Sequence, residues 1–305
     1  MIYVVGNIGI DLIYSVPQFP RPGETIVAIG KREELGGKGA NQAIVLARCG
    51  LNVALVAALG HDAEATRAKV ALEKEGVSVD YVSHLPCATD THSIYVDRAG
   101  ENHIVSVIEA ARTFDPIETL KAMVKPADLL LFQGNFSPDI LCACLDLSKS
   151  RGASTILNPS PVYSPDEYDW EKVDTVIMNR VEAGILTSGS TPDQAAGELC
   201  ESGVKRCIVT LGREGAFFAD KDTTFTIPAP EVEAVDTTGA GDVFCGVLVA
   251  SFIYGHSPKP AVSNAVRAAS LAVTRRGTSS SFPSSKELNF VRSPDQDQTM
   301  GKSNE

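Results

Sequence analysis

An α/β fold with a mainly parallel central sheet is the class this sequence predicts, and three observations predict it. Short apolar runs recur along the chain: "IYVVG", "VALVAALG", "DLLLFQG", "STILNPS", "DTVIMN" and "RCIVTLG". Each is brief, apolar and closed by turn residues, the pattern of a strand buried on both faces. Helical patterns separate them, at Gly39–Cys49, Ala63–Glu75, Pro138–Ser150, Arg180–Leu186 and Pro192–Ser202, with a last one over Pro258–Thr274. Strands alternating with helices imply a parallel sheet covered on both sides. Two stretches interrupt the alternation: Asp11–Gly36, with "DLIYSV", "FPRPGET" and "TIVAIGKREEL", and Thr91–Ala110, with "THSIYVD" and "HIVSVIE" around "RAGEN". Both read as β-hairpin material. They either pair into a small extra sheet or stand as two unrelated surface hairpins.

The strands end in small or polar residues: Gly6-Asn7, Gly60, Gln133-Gly134, Asn158-Pro159, Asn179 and Thr210-Leu211-Gly212. Ligands of parallel sheets collect at the carboxyl ends of the strands, so this edge is the expected site.

Bulk properties narrow the function. The chain has 305 residues, 44% of them hydrophobic, enough for a large core without disulfide or metal staples. A net charge of -11 argues against nucleic acid and anionic membranes as partners. Any anionic ligand must then be held by local dipoles, a few cations or a metal ion. The seven cysteines show no CxxC pair, and the five histidines no HExxH pattern. The cysteines read as core residues in a reducing compartment. The N-terminus lacks a basic n-region, and no apolar run reaches the roughly 18 residues of a membrane span. A cytoplasmic location is the expectation. From Ser293 the chain is polar and patternless, which predicts a disordered tail over 293–305.

The chemistry concentrates in "DTTGAGDVF", Asp236 to Phe244. A helix starting near Gly239 exposes N–H groups that no helix carbonyl satisfies, and these, with the helix dipole, make an anion site. Asp242 falls in the first turn. A carboxylate beside a bound phosphate is repulsive, so binding alone does not explain it. It makes sense as a group that takes a proton from an attacking hydroxyl. The plainer reading is a first-turn acid favoured by the dipole, with Asp236 and Thr237 as a turn and an N-cap. A second cluster, "ELGGKGANQA", puts Gly36, Gly37 and Gly39 before a helix, with Lys38 and Asn41 nearby. It is not a P-loop, since the spacing GxxxxGK[ST] is absent, and no GxGxxG fingerprint occurs. In "GNIGID", Asn7 and Asp11 follow the first strand. A carboxylate can accept two hydrogen bonds from vicinal hydroxyls, which suits Asp11 to a sugar diol; a surface-turn acid is the plain alternative.

Together and in this order, these pieces resemble the ribokinase-like (PfkB) family of carbohydrate kinases. "GGKGANQA" looks like that family's first signature and "DTTGAGDVF" like its second, and "VVGNIGID…VPQFPRPGET" is similar to its ribokinase branch. The resemblance runs from Val4 to about Pro283. It implies a three-layer core at 1–10, 37–90 and 111–292, and a discontinuous β-sheet lid at 11–36 and 91–110, often used as a dimer clasp. It implies ATP as phosphoryl donor to a small sugar, with Mg²⁺ and a monovalent cation, K⁺. Carried across by position, Asp242 resembles the base, and Gly239, Ala240 and Gly241, with the backbone of Thr238, the anion hole. Asn7, Asp11, Gly37, Lys38 and Asn41 resemble sugar contacts. Asn179 and Glu182 in "NRVE" resemble the residues that organise Mg²⁺ and phosphates. Thr210, Gly212 and Gly215 resemble the nucleotide loop, together with Gly241. Asp236, Thr238, Ala272, Arg275, Gly277 and Ser281 match positions around the monovalent cation, several acting through carbonyls.

Two positions depart from the ribokinase branch. Asn135 stands where that branch carries a Glu, which changes a sugar contact from acceptor-only to mixed donor and acceptor. Val266 stands where it carries an Asn beside the nucleotide. The expected activity is therefore ATP-dependent phosphorylation of ribose or a related sugar. A nucleoside or ketohexose kinase of the same fold, and a non-catalytic sugar-binding homologue, are the alternatives. The last predicts loss of the base or the anion hole, and both are present.

Overall fold

A computed structural model describes residues 1–98, 101–162, 168–189 and 191–293. A nine-stranded sheet forms the centre. Its strands are β1 (Ile2–Val5), β4 (Val53–Leu59), β5 (Ser78–His84), β8 (Leu129–Gln133), β9 (Ser154–Asn158), β10 (Thr175–Asn179), β11 (Arg206–Thr210), β12 (Ala216–Asp220) and β13 (Thr224–Ile227). The order across the sheet is β13-β12-β11-β10-β9-β8-β1-β4-β5. Pairing is parallel from β11 through to β5, and β12 and β13 add an antiparallel edge.

The alternation of side chains along the strands creates two cores. Ile2 and Val4 of β1 join one cluster, and Tyr3 and Val5 join the other. In β4, Val53, Leu55, Ala57 and Leu59 face the first, and Ala54, Val56 and Ala58 the second. This is why these strands read as unbroken apolar runs: both faces are covered. Helices α1 (Lys38–Arg48), α2 (Ala63–Lys74), α8 (Ala240–Ile253) and α9 (Pro258–Ala272) supply residues to the first core. Helices α3 (Glu109–Thr113), α4 (Ile117–Met123), α5 (Pro138–Ser150), α6 (Arg180–Leu186) and α7 (Pro192–Glu201) supply the second. The result is three layers, as the family resemblance implies.

Helix α8 is apolar nearly all round because it is sandwiched, with Asp242–Ser251 all buried. At Gly246 it lies directly on α1, where a Cβ would come within 2.6 Å of Val45 Cγ1. That close approach brings the start of α1 against the start of α8.

A separate four-stranded sheet has the order β3-β2-β6-β7, from β2 (Gly9–Ser15), β3 (Gly30–Gly36), β6 (Asp90–Val96) and β7 (Asn102–Val107). The two interrupting stretches do pair with each other, through parallel β2 and β6. Strands β2 and β6 begin slightly before those stretches, at Gly9 and Asp90. Thr25–Ile29, expected within a strand, lies outside one; Val27 and Ile29 are exposed, so no packing favours pairing there. Asp90 ties this sheet to the core. Its buried carboxylate accepts the N–H of Ala110 at 2.9 Å and of Ala111 at 3.3 Å, at the start of α3. Of the expected tail, only Ser293 lies within the described residues. Among those residues, no helix is long and apolar enough to cross a membrane.

Candidate active site

The strand order changes direction between β8 and β1: from β1 the chain builds outward to β4 and β5 on one side, and from β8 to β13 on the other. Such a switch point leaves a crevice at the carboxyl ends of the strands. Asn7 follows β1, and Gln133 and Asn135 close β8, so they stand at that crevice.

Asp242 lies in the first turn of α8 and is 6% exposed. Asn41 Nδ2, from α1, donates to its Oδ2 at 2.9 Å, and Gln42 Nε2 donates to its Oδ1 at 3.0 Å. Each oxygen of this buried acid is thus held by an amide, the compensation a buried charge requires. The residue before this turn, Gly239, is the helix N-cap with φ 75, a left-handed conformation that glycine adopts without strain. No side chain caps the helix. In the first turn Ala240 N donates to the Thr237 carbonyl at 3.3 Å and Asp242 N to the Gly239 carbonyl at 3.0 Å, which leaves Gly241 N as the donor an anion site needs.

Helix α1 begins in the same way. Gly37 is its N-cap at φ 91 and has no side chain of its own to cap the helix. Asn7 braces this turn: its carbonyl accepts from Ala40 N at 3.0 Å, and its Oδ1 from Gly39 N at 3.3 Å. Asn7 therefore positions the glycine loop as well as standing near the crevice.

Asp11, on β2, is also 6% exposed and accepts the Thr278 hydroxyl at 3.2 Å. Burial pushes its carboxyl up from 3.8 to about 6, the Thr278 hydrogen bond opposes this, and repulsion from Glu34 and Asp242 adds to it. Asp11 and Asp242 are thus near enough for each charge to act on the other. Lys38 supplies positive charge close to Cys245, which also feels Asp242. Burial holds the Cys245 thiol far above its usual range, so it is an inert neighbour.

Several buried polar atoms here lack an internal partner: Asn41 Oδ1, Gln133 Oε1, and both Nδ2 and Oδ1 of Asn135. Among the described residues only His256 Nδ1 shares that condition. Buried polar atoms are seldom left unpaired, so this cluster is built for a polar ligand.

A cavity of about 940 Å³ opens alongside. It is lined by Asn179 at the start of α6, by Thr210, Gly212 and Gly215 after β11, and by Ala240 and Gly241 at the start of α8. Val266 and Val273 of the α9 region form an apolar wall, with Phe244. Such a space suits a flat base with its phosphates directed to the α8 terminus. Asn179 and Glu182 form a reciprocal capping box: Asn179 Oδ1 accepts Glu182 N at 2.9 Å, and Glu182 Oε2 accepts Asn179 N at 2.8 Å. One oxygen of Glu182 is therefore already engaged in holding α6.

Asp236 joins two loops. Its Oδ1 accepts Thr238 N at 3.0 Å and its Oδ2 accepts Gly277 N at 3.1 Å. Ser281 Oγ donates to Thr278 O at 2.8 Å, and Arg275 N to Ala272 O at 3.1 Å. Gly277 thus joins the Asp236–Thr238 turn directly, and Asp236 N donates to the Val273 carbonyl at 3.2 Å, whereas the bonds of Ala272 and Ser281 lie within their own loop and the Arg275 side chain pairs with Glu287 at 2.5 Å. Carbonyl oxygens keep a second lone pair when they accept one hydrogen bond, so this loop pair fits a monovalent cation held by oxygens. Among the described residues, no group of three His, Cys, Asp or Glu is arranged to hold a metal.

The sequence pattern does not single out Gln42 as part of the site, nor Glu34 and Thr278 beside Asp11. Gln133 and Asn158 carry one signal, their place at strand ends. Gln42 has only its adjacency to Asn41.

Known proteins resemble the chain along nearly its whole length. The family model described as "pfkB family carbohydrate kinase" matches residues 1–285. A deoxyribokinase of Salmonella typhi is 31% identical over 297 residues, covering 94% of this chain and 97% of that protein. A ribokinase of Haemophilus influenzae gives the same identity and coverage. Among solved structures, an Arabidopsis thaliana ribokinase complexed with ribose and ATP superposes with a TM-score of 0.85 at 28% identity, covering 95% of this chain and 98% of that one.

Proposed function

The chain belongs to the pfkB family of carbohydrate kinases, and from that premise we propose how it works: it transfers the γ-phosphoryl group of ATP to a hydroxyl of ribose or a closely related sugar, with Asp242 as the base. One observation carries the assignment of the base. A buried carboxylate, fixed by two amides, sits in the first turn of the helix whose N-terminus lines the nucleotide-sized cavity.

In the proposed reaction, the sugar hydroxyl donates its proton to Asp242 as its oxygen attacks the γ-phosphorus. The bond to the bridging oxygen breaks, and ADP leaves with that electron pair. The transition state spreads charge over the phosphoryl oxygens, so positioning and charge stabilisation dominate. The N–H groups of Gly239 and Gly241 supply donors at that place, with that of Ala240 shared with the Thr237 carbonyl at 3.3 Å. Asn179, Thr210, Gly212 and Gly215 bound the nucleotide, and Val266 offers it an apolar contact. Asp11, Lys38, Asn41 and Asn135, with the Gly37 turn, surround the sugar. Magnesium, when bound, would offset phosphate charge in a protein of net charge -11, and Asn179 and Glu182 are the residues that would organise it. Potassium would be held by the Asp236–Thr238 and Ala272–Ser281 loops.

The four-stranded sheet acts in this reading as a lid that keeps water from competing as acceptor. Ile104, Val105 and Val107 on β7 are exposed, as are Val27 and Ile29, which supports a second copy of the chain covering the lid. A cytoplasmic site of action accords with a kinase drawing on ATP.

A panel of ribose, 2-deoxyribose, ketohexoses and nucleosides, each with ATP and Mg²⁺, tests the acceptor. Pentose phosphorylation supports the proposal. Nucleoside turnover at far higher kcat/KM overturns it, and failure with every acceptor points to a binding protein. The same assay in potassium, sodium and a bulky organic cation tests the cation loop.

A further inference from the structure

Gln42 is 0% exposed and forms the hub of a buried amide network. Its Nε2 uses both hydrogens, one to Asp242 Oδ1 at 3.0 Å and one to Asn158 Oδ1 at 3.0 Å. Its Oε1 accepts from Gln133 Nε2 at 2.8 Å. The remaining donors end on obligate acceptors: Asn158 Nδ2 on the Ile177 carbonyl at 2.8 Å, and Gln133 Nε2 on the Leu131 carbonyl at 3.4 Å. A carboxylate and a backbone carbonyl can only accept, so every amide orientation in the network is forced. Turning Gln42 over would set its oxygen against Asp242 and its donors against those of Gln133. The network needs room as well: a Cβ on Gly6 would overlap Gln133 Oε1.

We infer that Gln42 is a positioning residue for the base, held by Gln133 and Asn158 so that the Asp242 carboxylate keeps one orientation towards the acceptor hydroxyl. The inference rests on the proposed role of Asp242. It ties the ends of β8 and β9 to the first turn of α8 through one side chain of α1. Asn41 grips the other carboxylate oxygen, so rotation of the carboxylate is blocked from both sides. Oriented reacting groups account for large rate factors, and small displacements cost much of them. The charged groups that share the space with Asp242 are Asp11 of β2 and Lys38 of α1.

The test uses Gln42→Leu, which keeps the bulk and removes the amide, in the full-length protein. The expected result is a fall in kcat of about 10- to 100-fold with sugar KM within about threefold, because the lost interaction orients the base rather than holding the sugar. A carboxylate that loses a donor takes up a proton more readily, so the acid limb of the kcat profile moves to higher pH. Gln133→Leu, which does not touch Asp242, is expected to do the same to a smaller degree, and it decides the matter if Gln42→Leu does not fold. A crystal structure of either variant, expected to show the Asp242 carboxylate turned or split between conformers, is independent of turnover. If the parent protein phosphorylates no acceptor, the kinase reading fails while this structure still decides whether Gln42 positions Asp242. An unmoved acid limb with an unmoved Asp242 carboxylate overturns the inference, even if activity drops.

Discussion

The carboxylate of Glu34, on strand β3 of the four-stranded sheet, accepts the backbone N–H of Thr278 at 2.5 Å, across 244 positions of sequence. The same oxygen accepts the Ser280 hydroxyl at 3.0 Å, and Arg32 donates to the other oxygen at 3.1 Å. Thr278 in turn gives its hydroxyl to Asp11. The four-stranded sheet, the proposed lid, is therefore latched to the loop after α9 at two carboxylates, one of them in the proposed sugar site. Glu34→Ala removes the latch and leaves the base untouched. Hydrogen bonds to charged groups contribute about 1.5–3 kcal/mol each, partly offset here by new contacts with water. The sugar must then drive closure itself, so sugar KM should rise about tenfold with kcat within about threefold. Steady-state kinetics check this, and amide exchange should show β3 opening more often in the variant.

Asp242→Asn tests the base directly. The amide keeps the shape and can no longer take a proton. It also faces two donors, Asn41 Nδ2 and Gln42 Nε2, with only one acceptor atom of its own. We expect kcat to fall on the order of 10²-fold or more while sugar binding survives, measured by calorimetry. Near-normal turnover would remove Asp242 from the chemistry.

Much of this arrangement is legible in the order of amino acids alone. Strands β1, β4 and β8 to β11 announce themselves because both faces are buried, and the glycines before α8 place its start at Gly239. The β5 stretch, "SVDYVSH", carries no strand signal because its residues are mostly half-exposed and form no apolar run. β12 and β13 escape notice as a short antiparallel edge after the last parallel strand. The two glycine motifs mark Asp242 and Asn41 but say nothing of their contact, which depends on Gly246 letting α8 meet α1. Gln42 is silent for a physical reason: a polar residue in a helix ordinarily faces water, and its partners lie at two strand ends far along the chain. Glu34 sits in the charged run "KREEL", where nothing distinguishes the inward acid from Glu33, which pairs with Lys31 at the surface.

Asp11 should make sugar affinity depend on pH. Its carboxyl stands at about 6 in the folded protein against an ordinary 3.8, with burial as the main cause. The sign follows from linkage. Between those values the folded chain holds a proton that the unfolded chain has released, so this contribution to stability is full below about 4 and lost as pH rises through about 6. Asp90, likewise raised to about 6 by burial against its two N–H donors, acts in the same direction. In the proposed sugar site the ionised form of Asp11 would accept hydrogen bonds from sugar hydroxyls, and the protonated form would have given up one acceptor. Sugar KM should therefore fall as pH rises through about 6 and level off above it. Asp11→Asn should flatten that dependence, and Asp11→Ala should weaken sugar binding by about 1–3 kcal/mol. The ligand-induced rise in melting temperature should also be larger at pH 7.5 than at pH 5, a comparison that thermal scans with and without sugar provide.

Asn135 separates the needs of the ligand from those of the fold. Both polar atoms of its amide are buried and make no hydrogen bond within the protein, so the side chain costs the fold desolvation and returns nothing to it. Removing it should not weaken the fold. Asn135→Ala is expected to leave the melting temperature unchanged or slightly raised, since replacing an unsatisfied buried amide can be neutral or stabilising. The same variant should raise sugar KM by about tenfold, the loss of roughly one well-formed hydrogen bond. Asn135→Glu restores the acceptor-only group expected of the ribokinase branch. A carboxylate cannot donate to a sugar oxygen, so acceptors offering a hydroxyl there should gain on those offering only a lone pair. Ranking the pentoses and 2-deoxypentoses by kcat/KM in parent and variant measures this. An unchanged ranking, with unchanged KM in the alanine variant, would place Asn135 outside the sugar contacts.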